Sequence, residues 1–213
     1  MSDVEARLAA LEKELGVLRD REAIRDVIHR YCRAADRCDL QAFKDCYWSD
    51  GFDDHGFFGG NAHEFCDYVI PVLRKIEASR HAITNTIIDL EGDRAFCESQ
   101  WAVIHRLREG DEFLDFCHEG RYLDIFEKRD GVWKILIRTA ATDLDRLYRA
   151  KDLRAMLAGE RGAANRGPEN NLPRGARHPD DPVYVGFDLA NLAQARAPIA
   201  DLWAGFYALG KVL

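Results

Sequence analysis

Four successive segments with strand character occupy residues 79–139 and constrain the fold of this chain more than any other feature. They read SRHAITNTIIDL, AFCESQWAVIHRL, EFLDFCHEGRYLDIFEKR and VWKILIRTA, and the short connections EGDR, REGD and RDG separate them. Successive strands joined by such tight turns form an antiparallel meander. In the last connection, Gly131 supplies the positive φ that a tight hairpin turn needs.

Helical patterns precede these strands. Residues 4–18 carry apolar side chains at alternating steps of four and three, which predicts a narrow helical seam. This seam covers either its own domain or a neighbouring subunit. Further helices are expected over residues 20–36, in CDLQAFKDCYW, and over residues 62–76, where Pro71 can produce a kink. Helices followed by strands indicate the α+β fold class rather than a doubly wound sheet.

The character of the chain changes beyond Asp143. A short helix is expected in LDRLYRAKDLRAMLAG, and a connection rich in Gly, Pro, Asn and Arg follows it. The last stretch, FDLANLAQARAPIADLWAGFYALGKVL, returns to the pattern of an amphipathic helix. We therefore divide the chain into an N-terminal helix (1–19), an α+β domain (20–142) and a C-terminal extension of linker and helices (143–213).

Composition excludes several classes of partner. The hydrophobic content of 47% and the charged content of 31% are those of an ordinary globular protein. A net charge of −7, with basic residues interleaved among acids, argues against nucleic acid as the partner. No apolar run approaches the roughly 18–20 residues that span a bilayer, and the N-terminus lacks the apolar centre of a signal peptide. A cytoplasmic protein without a membrane partner is expected.

The six cysteines do not predict disulfides, because none forms a CxxC pair and a chain of this length can build a sufficient core. We interpret them as reduced thiols that pack as small hydrophobes. No HxH or HExxH spacing predicts a metal site, and GFFGGN lacks the lysine of a phosphate-binding loop. We therefore expect no metal and no cofactor.

Three stretches in this order, DREAIRDVIHRYCRAADRCDLQAF, SRHAITNT and GRYLDIFEKRDGVWKI, resemble SnoaL-like proteins of the nuclear transport factor 2 superfamily. The likeness, over about residues 18–142, is to scytalone dehydratase and to hexachlorocyclohexane dehydrochlorinase. It implies a cone-shaped, strongly curved antiparallel sheet wrapped around N-terminal helices, with a blind pocket for a small apolar ligand. Trimeric relatives imply a homo-oligomer, either a trimer or a dimer, in which the C-terminal extension covers the pocket or a subunit interface.

Asp36 and His81 match the catalytic pair of both enzymes, in the segments AAD and SRHAITN. An elimination removes a proton from carbon, which calls for a neutral imidazole near physiological pH. A carboxylate behind the imidazole fixes its tautomer and stabilises the imidazolium that forms. Without the resemblance, the two residues would be a helix-terminal carboxylate and an ordinary strand histidine. With it, we expect a catalytic dyad.

His105 falls where the dehydratase carries a second pocket histidine. Strand alternation puts it on one face with Trp101 and Val103. There it can donate a proton to a leaving group or polarise a substrate oxygen, and Trp101 can contact the substrate. The alternative is a core histidine that is hydrogen-bonded to the backbone. His55 falls roughly where the dehydratase has a tyrosine that helps to orient water, so we expect it to bind substrate.

Three further residues are predicted to line the pocket, in a region where the chain departs from the dehydratase at several positions. His118, Gly120 and Tyr122 share one strand face, and the last two replace a serine and an asparagine that hold the dehydratase's substrate. Ala35 stands in place of a tyrosine, and Tyr31 either supplies a replacement hydroxyl or packs in the core. We expect His118, Tyr122 and Tyr31 to bind substrate, and the departures argue against scytalone itself.

These residues predict a cofactor-independent lyase for a small, aromatic, hydrophobic substrate. Loss of water or halide is the reaction that the resemblance implies. A retro-aldol loss of formaldehyde from a lignin-derived diaryl compound is a close variant, known from some superfamily members. Two alternatives stay open: an isomerase or polyketide-type cyclase of the same fold, and a non-catalytic module that binds ligands or proteins.

Overall fold

The computed structural model describes residues 2–110, 112–151 and 175–185. The chain divides into two units, Met1–Ala150 and Lys151–Leu213. Within the described residues the first unit contains three helices and six strands. In chain order these are α1 (Asp3–Arg37), α2 (Leu40–Asp45), β1 (Tyr47–Asp54), β2 (Gly59–Asn61), α3 (Ala62–Leu73), β3 (Ala78–Glu91), β4 (Arg94–Glu109), β5 (Glu112–Arg129) and β6 (Val132–Ala150).

Helix α1 is one continuous helix, so the prediction of two separate helices on either side of residue 19 was wrong. It begins at a capping box, in which the Ser2 hydroxyl accepts from the backbone N–H of Glu5 and the Glu5 carboxylate accepts from that of Ser2. No proline or turn residue interrupts it between residues 17 and 24. The predicted apolar seam at its N-terminal end is exposed, as Leu8 at 55% and Leu11 at 62% show.

Asp20 marks the point at which α1 meets the sheet. Its carboxylate accepts hydrogen bonds from the Lys128 ammonium and the Trp133 indole N–H, both at 2.8 Å. Burial raises the pKa of Asp20, but these two hydrogen bonds outweigh it and hold the pKa below its ordinary value. From Ile24 onwards the helix buries one side against the core.

The sheet has the strand order β2-β1-β6-β5-β4-β3. Strands β3 to β6 form the predicted antiparallel meander, whereas β1 adds to β6 in parallel. The turn between β5 and β6 places Asp130 and Gly131 at φ values of 50° and 80°, as a two-residue hairpin turn requires. Register shifts interrupt three of the strand pairs, and such bulges bend the strands, which curves the sheet.

Strand β6 continues to Ala150, so the prediction of a helix that begins at Leu144 was wrong for residues 144–150. Leu144 pairs with Glu119 and Ala150 pairs with Phe113, because the long strand β5 offers a free edge along this whole length. Pairing with that edge overrides the helical pattern of LDRLYRA. The rest of the predicted helix lies outside the described residues.

The described part of the second unit is residues 151 and 175–185. It holds a short helix, α4 (Pro182–Val185), beside a turn in which the Asp181 carboxylate accepts from the backbone N–H of Ala176 at 2.7 Å. The predicted amphipathic helix near the C-terminus and most of the predicted linker lie outside the described residues.

The core lies between the helices and one face of the sheet. All six cysteines are free thiols and five of them are buried, which confirms their interpretation as packing residues. Burial raises the pKa of Cys32, Cys46 and Cys97 to about 12, so these thiols stay protonated. None of the described helices is long and apolar enough to cross a membrane.

Candidate active site

A cavity of about 250 Å³ opens between the three helices and the sheet. Its apolar wall includes Phe43 from α2, Phe65 from α3 and Ala35 from α1. Of the eight predicted site residues, all but Asp36 line this cavity. They are Tyr31, His55, His81, Trp101, His105, His118 and Tyr122.

Asp36 lies directly behind His81. The Nδ1 atom of His81 is 2.7 Å from Oδ1 of Asp36, and the backbone N–H of His81 donates to both carboxylate oxygens at 2.9 and 3.0 Å. A carboxylate beside Nδ1 holds the proton there, which leaves the lone pair of the neutral imidazole on Nε2. Both side chains are only 9% exposed. Asp36 and His81 also line a second concavity, which is more open to solvent than the first.

Ser79 connects this pair to His105. Its hydroxyl donates to Oδ1 of Asp36 at 3.2 Å and lies 3.1 Å from Nδ1 of His105. Ser79 was not among the predicted site residues, although a signal was present: it precedes His81 by two positions, so strand alternation puts both on one face. The Asp36 carboxylate is thereby connected to two imidazoles, directly to His81 and through the Ser79 hydroxyl to His105.

Three imidazoles stand side by side on the neighbouring strands β3, β4 and β5. The ring centroids of His81 and His105 are 5.8 Å apart, and those of His105 and His118 are 5.2 Å apart. Burial lowers the pKa of His118, the Asp145 carboxylate 3.6 Å away raises it, and a charge on His81 lowers it again. The net effect holds the pKa of His118 below its ordinary value, which favours the neutral ring near pH 7.

Asp53 forms a second carboxylate–imidazole pair, which the sequence analysis did not predict. This carboxylate is fully buried, contacts Nδ1 of His55 through Oδ1, and accepts a hydrogen bond from the Tyr47 hydroxyl at 2.5 Å. The other ring nitrogen of His55, Nε2, lies 3.3 Å from the hydroxyl of Tyr31. The available signal was again a spacing of two, since Asp53 precedes His55 in DDH.

Arg138 supports the two tyrosines of the cavity from behind. Its guanidinium carbon lies 4.0 Å from the ring centroid of Tyr31 and 3.9 Å from that of Tyr122. The same guanidinium donates two hydrogen bonds to Asp124, at 2.7 and 2.8 Å, and both side chains are fully buried. The Asp124–Arg138 pair therefore fixes the positions of two rings that line the site.

Gly120 makes room for Trp101. A Cβ atom at this position would lie 2.1 Å from the carbonyl oxygen of Ala141 and 2.7 Å from Cζ2 of Trp101. The serine that the dehydratase carries here would therefore collide with backbone. The departure at Gly120 is a packing requirement of this chain.

The described residues include no group of three or more His, Cys, Asp or Glu side chains placed to hold a metal ion. His55, His81 and His105 instead each have a carboxylate or a hydroxyl within hydrogen-bond distance. The wall of the cavity is thus equipped for proton transfer.

Residues 16–139 match the family model of the SnoaL-like domain. The chain belongs to the SnoaL-like domain family. This match confirms the resemblance from the sequence, and the SnoaL-like domain contains every residue that lines the cavity except Ala140, Thr142 and Asp145. Among curated proteins, none matches the chain.

Solved structures share the fold of this SnoaL-like protein. LinA is 23% identical with a TM-score of 0.58, and the match covers 63% of this chain and 93% of LinA. A scytalone dehydratase-like protein from Novosphingobium aromaticivorans is 21% identical with a TM-score of 0.56, covering 63% and 91%. The hexachlorocyclohexane dehydrochlorinase LinA-type3 from Novosphingobium barchaimii is 19% identical with a TM-score of 0.57, covering 63% and 94%. At these identities the likeness establishes the fold alone.

Proposed function

We propose that this SnoaL-like protein is a cofactor-independent lyase that acts on a small aromatic substrate. The observation that carries the proposal is the contact between Asp36 and Nδ1 of His81 at the wall of an aromatic cavity. It orients the imidazole with Nδ1 towards the carboxylate and Nε2 towards the cavity, and a lone pair on Nε2 is the base that proton removal from carbon requires. Membership of the SnoaL-like domain family supports a catalytic role for this cavity.

In the proposed reaction, Nε2 of His81 accepts a proton from a substrate carbon. The electron pair of that C–H bond forms a double bond, and the leaving group departs with the electrons of its own bond to carbon. Asp36 stabilises the imidazolium that forms, because its carboxylate is held against the ring. His105 is connected to Asp36 through Ser79 and can contact the same substrate.

The cavity favours a compact substrate. Its volume of about 250 Å³ lies just below the range of about 300–1,000 Å³ that is typical of ligand pockets. Aromatic side chains such as Trp101 and Tyr122 supply flat surfaces against which an aromatic ring can pack. We therefore favour loss of water or halide from a compound with one ring over loss of formaldehyde from a lignin-derived diaryl compound.

Substrate profiling with product masses tests the proposal. The wild type and the variants His81→Ala and Asp36→Asn are incubated with hydroxylated and halogenated aromatic candidates. His29→Ala, which removes an exposed histidine of α1, is the matched control. Products lighter by water or hydrogen halide, formed by the wild type and the control but not by the two site variants, support a lyase. Products lighter by formaldehyde support the carbon–carbon cleavage variant.

Other outcomes point to the two alternatives. A product of unchanged mass supports an isomerase or a cyclase. Binding of aromatic compounds that is the same in the wild type and in His81→Ala, without any turnover, supports a module that only binds ligands.

We also propose that the protein is a homo-oligomer, either a dimer or a trimer, with a second copy seated on the N-terminal seam of α1. The seam residues Val4, Leu8, Leu11, Leu15 and Leu18 are 46–72% exposed. In a parallel pairing of two α1 helices, Arg7 would face Glu12 of the second copy and Glu14 would face Arg19. These flanking charges are complementary, which favours a second copy of this chain as the occupant.

A further inference from the structure

The cavity contains a second carboxylate–imidazole pair that the proposed proton abstraction does not use. His55 is held on three sides: its Nδ1 contacts Asp53, its ring stacks on Phe65 at 4.4 Å, and its Nε2 lies 3.3 Å from the Tyr31 hydroxyl. Its side chain is 14% exposed, and the partner carboxylate is fully buried. This arrangement orients an imidazole and directs it to one hydroxyl.

The two pairs belong to strands that are far apart in the strand order of the sheet. Asp53 is on β1 and His81 is on β3, and the strands β6, β5 and β4 lie between them in the sheet. His55, which directly follows β1, and His81 nevertheless line the same cavity. A bound ligand can therefore contact one imidazole on each side.

The loss of water from a substrate needs two proton transfers. One group accepts a proton from carbon, and another donates a proton to the departing oxygen, because hydroxide is a poor leaving group. A single neutral histidine cannot do both at the same time. The proposed role of His81 as the base leaves the donor to another residue, either His105, which the sequence predicts as a donor, or the pair formed by His55 and Tyr31.

We propose that Tyr31, His55 and Asp53 form a second acid–base centre, which protonates the departing oxygen of the substrate. This inference rests on the proposed lyase function. Tyr31 and His55 are its catalytic residues, because both line the cavity. Asp53 is a positioning residue that acts through His55. In this centre His55 carries a proton on Nε2 and donates it to the Tyr31 oxygen, while the Asp53 carboxylate contacts Nδ1 and fixes the ring orientation.

The proton and electron balance of the step is complete. His81 takes the proton from carbon, the C–H electron pair forms the double bond, and the C–O bond breaks. The Tyr31 O–H proton passes to the departing hydroxyl and gives water, while His55 returns a proton from Nε2 to the Tyr31 oxygen. Solvent then carries a proton from the His81 imidazolium back to His55. Burial raises the pKa of Tyr31 well above its ordinary value, so this hydroxyl is protonated before the reaction.

The test compares two leaving groups in the full-length protein. The substrate found by profiling is prepared with either hydroxyl or chloride as the leaving group, because chloride departs without a proton. We expect Tyr31→Phe, His55→Gln and Asp53→Asn to lower kcat/KM for the hydroxyl compound by about 10²–10⁴-fold. The chloride compound should lose only a few-fold. Tyr148→Phe, which removes an exposed hydroxyl on β6, should affect neither. Equal losses on both leaving groups would overturn the inference.

A binding experiment separates failure of this inference from failure of the lyase proposal. The probe is 4-nitrophenol, whose absorption reports whether it is bound as the phenol or as the phenolate. A centre that donates hydrogen bonds to a negatively charged oxygen should stabilise the bound phenolate, below the phenol's own pKa, in the wild type and in His81→Ala but not in Tyr31→Phe. If the wild type turns over no candidate substrate, the lyase proposal fails. Phenolate binding that is lost only in Tyr31→Phe would still support the second centre in that case. If the wild type binds no phenolate in that case, the second centre fails too.

Discussion

Asp36 accepts hydrogen bonds from both the ring and the backbone N–H of His81. The carboxylate therefore does more than balance a charge: it holds the backbone of β3 and the imidazole that projects from it in one fixed relationship. The aspartate comes from the last turn of a long helix, and the histidine comes from an edge of the meander. The position of the proposed base thus depends on how α1 packs against the sheet.

Asp36→Asn should lower kcat by about 10²–10⁴-fold, because an amide N–H facing Nδ1 of His81 imposes the wrong tautomer. The amide oxygen can still accept the backbone N–H of His81, so the fold should persist. Steady-state kinetics on the profiled substrate and circular dichroism check both parts. Asp26→Asn, an exposed aspartate of the same helix, is the control. Full activity of Asp36→Asn would contradict a catalytic dyad.

Gly120→Ala should destabilise the fold, because the new Cβ would lie 2.1 Å from a backbone oxygen that cannot move freely. Overpacking of this kind costs about 1–3 kcal/mol in the free energy of unfolding, and sometimes more. Gly16→Ala is the matched control: nothing lies within 4 Å, and removing a helical glycine should stabilise α1 by about 1 kcal/mol. Urea denaturation measures both values. Equal stability of the two variants would show that Trp101 does not need the space.

Arg138→Met should lower the free energy of unfolding by about 3–5 kcal/mol, because it leaves the Asp124 carboxylate buried without its partner. The double variant Arg138→Met/Asp124→Leu removes both charges and should recover much of that loss. Denaturation of the two variants and the wild type gives the comparison. If the double variant is no more stable than the single one, the main contribution of Arg138 is its packing between Tyr31 and Tyr122.

The pKa of His118, followed by NMR titration, should lie below the ordinary value for histidine, mainly because the ring is partly buried. Asp145→Asn should lower it further, since that carboxylate raises it. A depressed histidine pKa means that the unfolded state binds its proton first as the pH falls. The free energy of unfolding should therefore decrease as the pH falls from about 6.5, the pKa in the unfolded state, to the lower pKa of the folded state. A pKa above that of exposed His29 would contradict the burial argument.

Leu8→Glu and Leu15→Glu should each reduce the mass of the protein in solution, because they place charge in the exposed seam of α1. Val17→Glu is the control, since Val17 is exposed on the same helix but lies outside the seam. Light scattering coupled to size-exclusion chromatography measures the mass. A wild-type monomer, or an unchanged mass in both leucine variants, would contradict self-association through this surface.

Local patterns in the sequence were sufficient to predict the antiparallel meander and the hairpin turn before its last strand. Strand alternation placed Trp101, Val103 and His105 on one face, and all three line the cavity. Gly131 identified the hairpin because its requirement for positive φ is a property of one residue and its neighbours. The resemblance supplied Asp36 and His81 as a pair, and the structure places their side chains in contact.

Other features were decided only by the tertiary structure, because they join residues that are distant in the sequence. The continuation of β6 depends on the free edge of β5. The second pair depends on a curved sheet that brings His55, with Asp53 behind it, to the cavity that His81 also lines. Arg138 lies between Tyr31 and Tyr122, which belong to a helix and to another strand. Alternation and turn preferences act over a few residues, so the sequence by itself determined the elements and which faces they present. Burial, strand pairing and ring contacts are settled only when those faces meet.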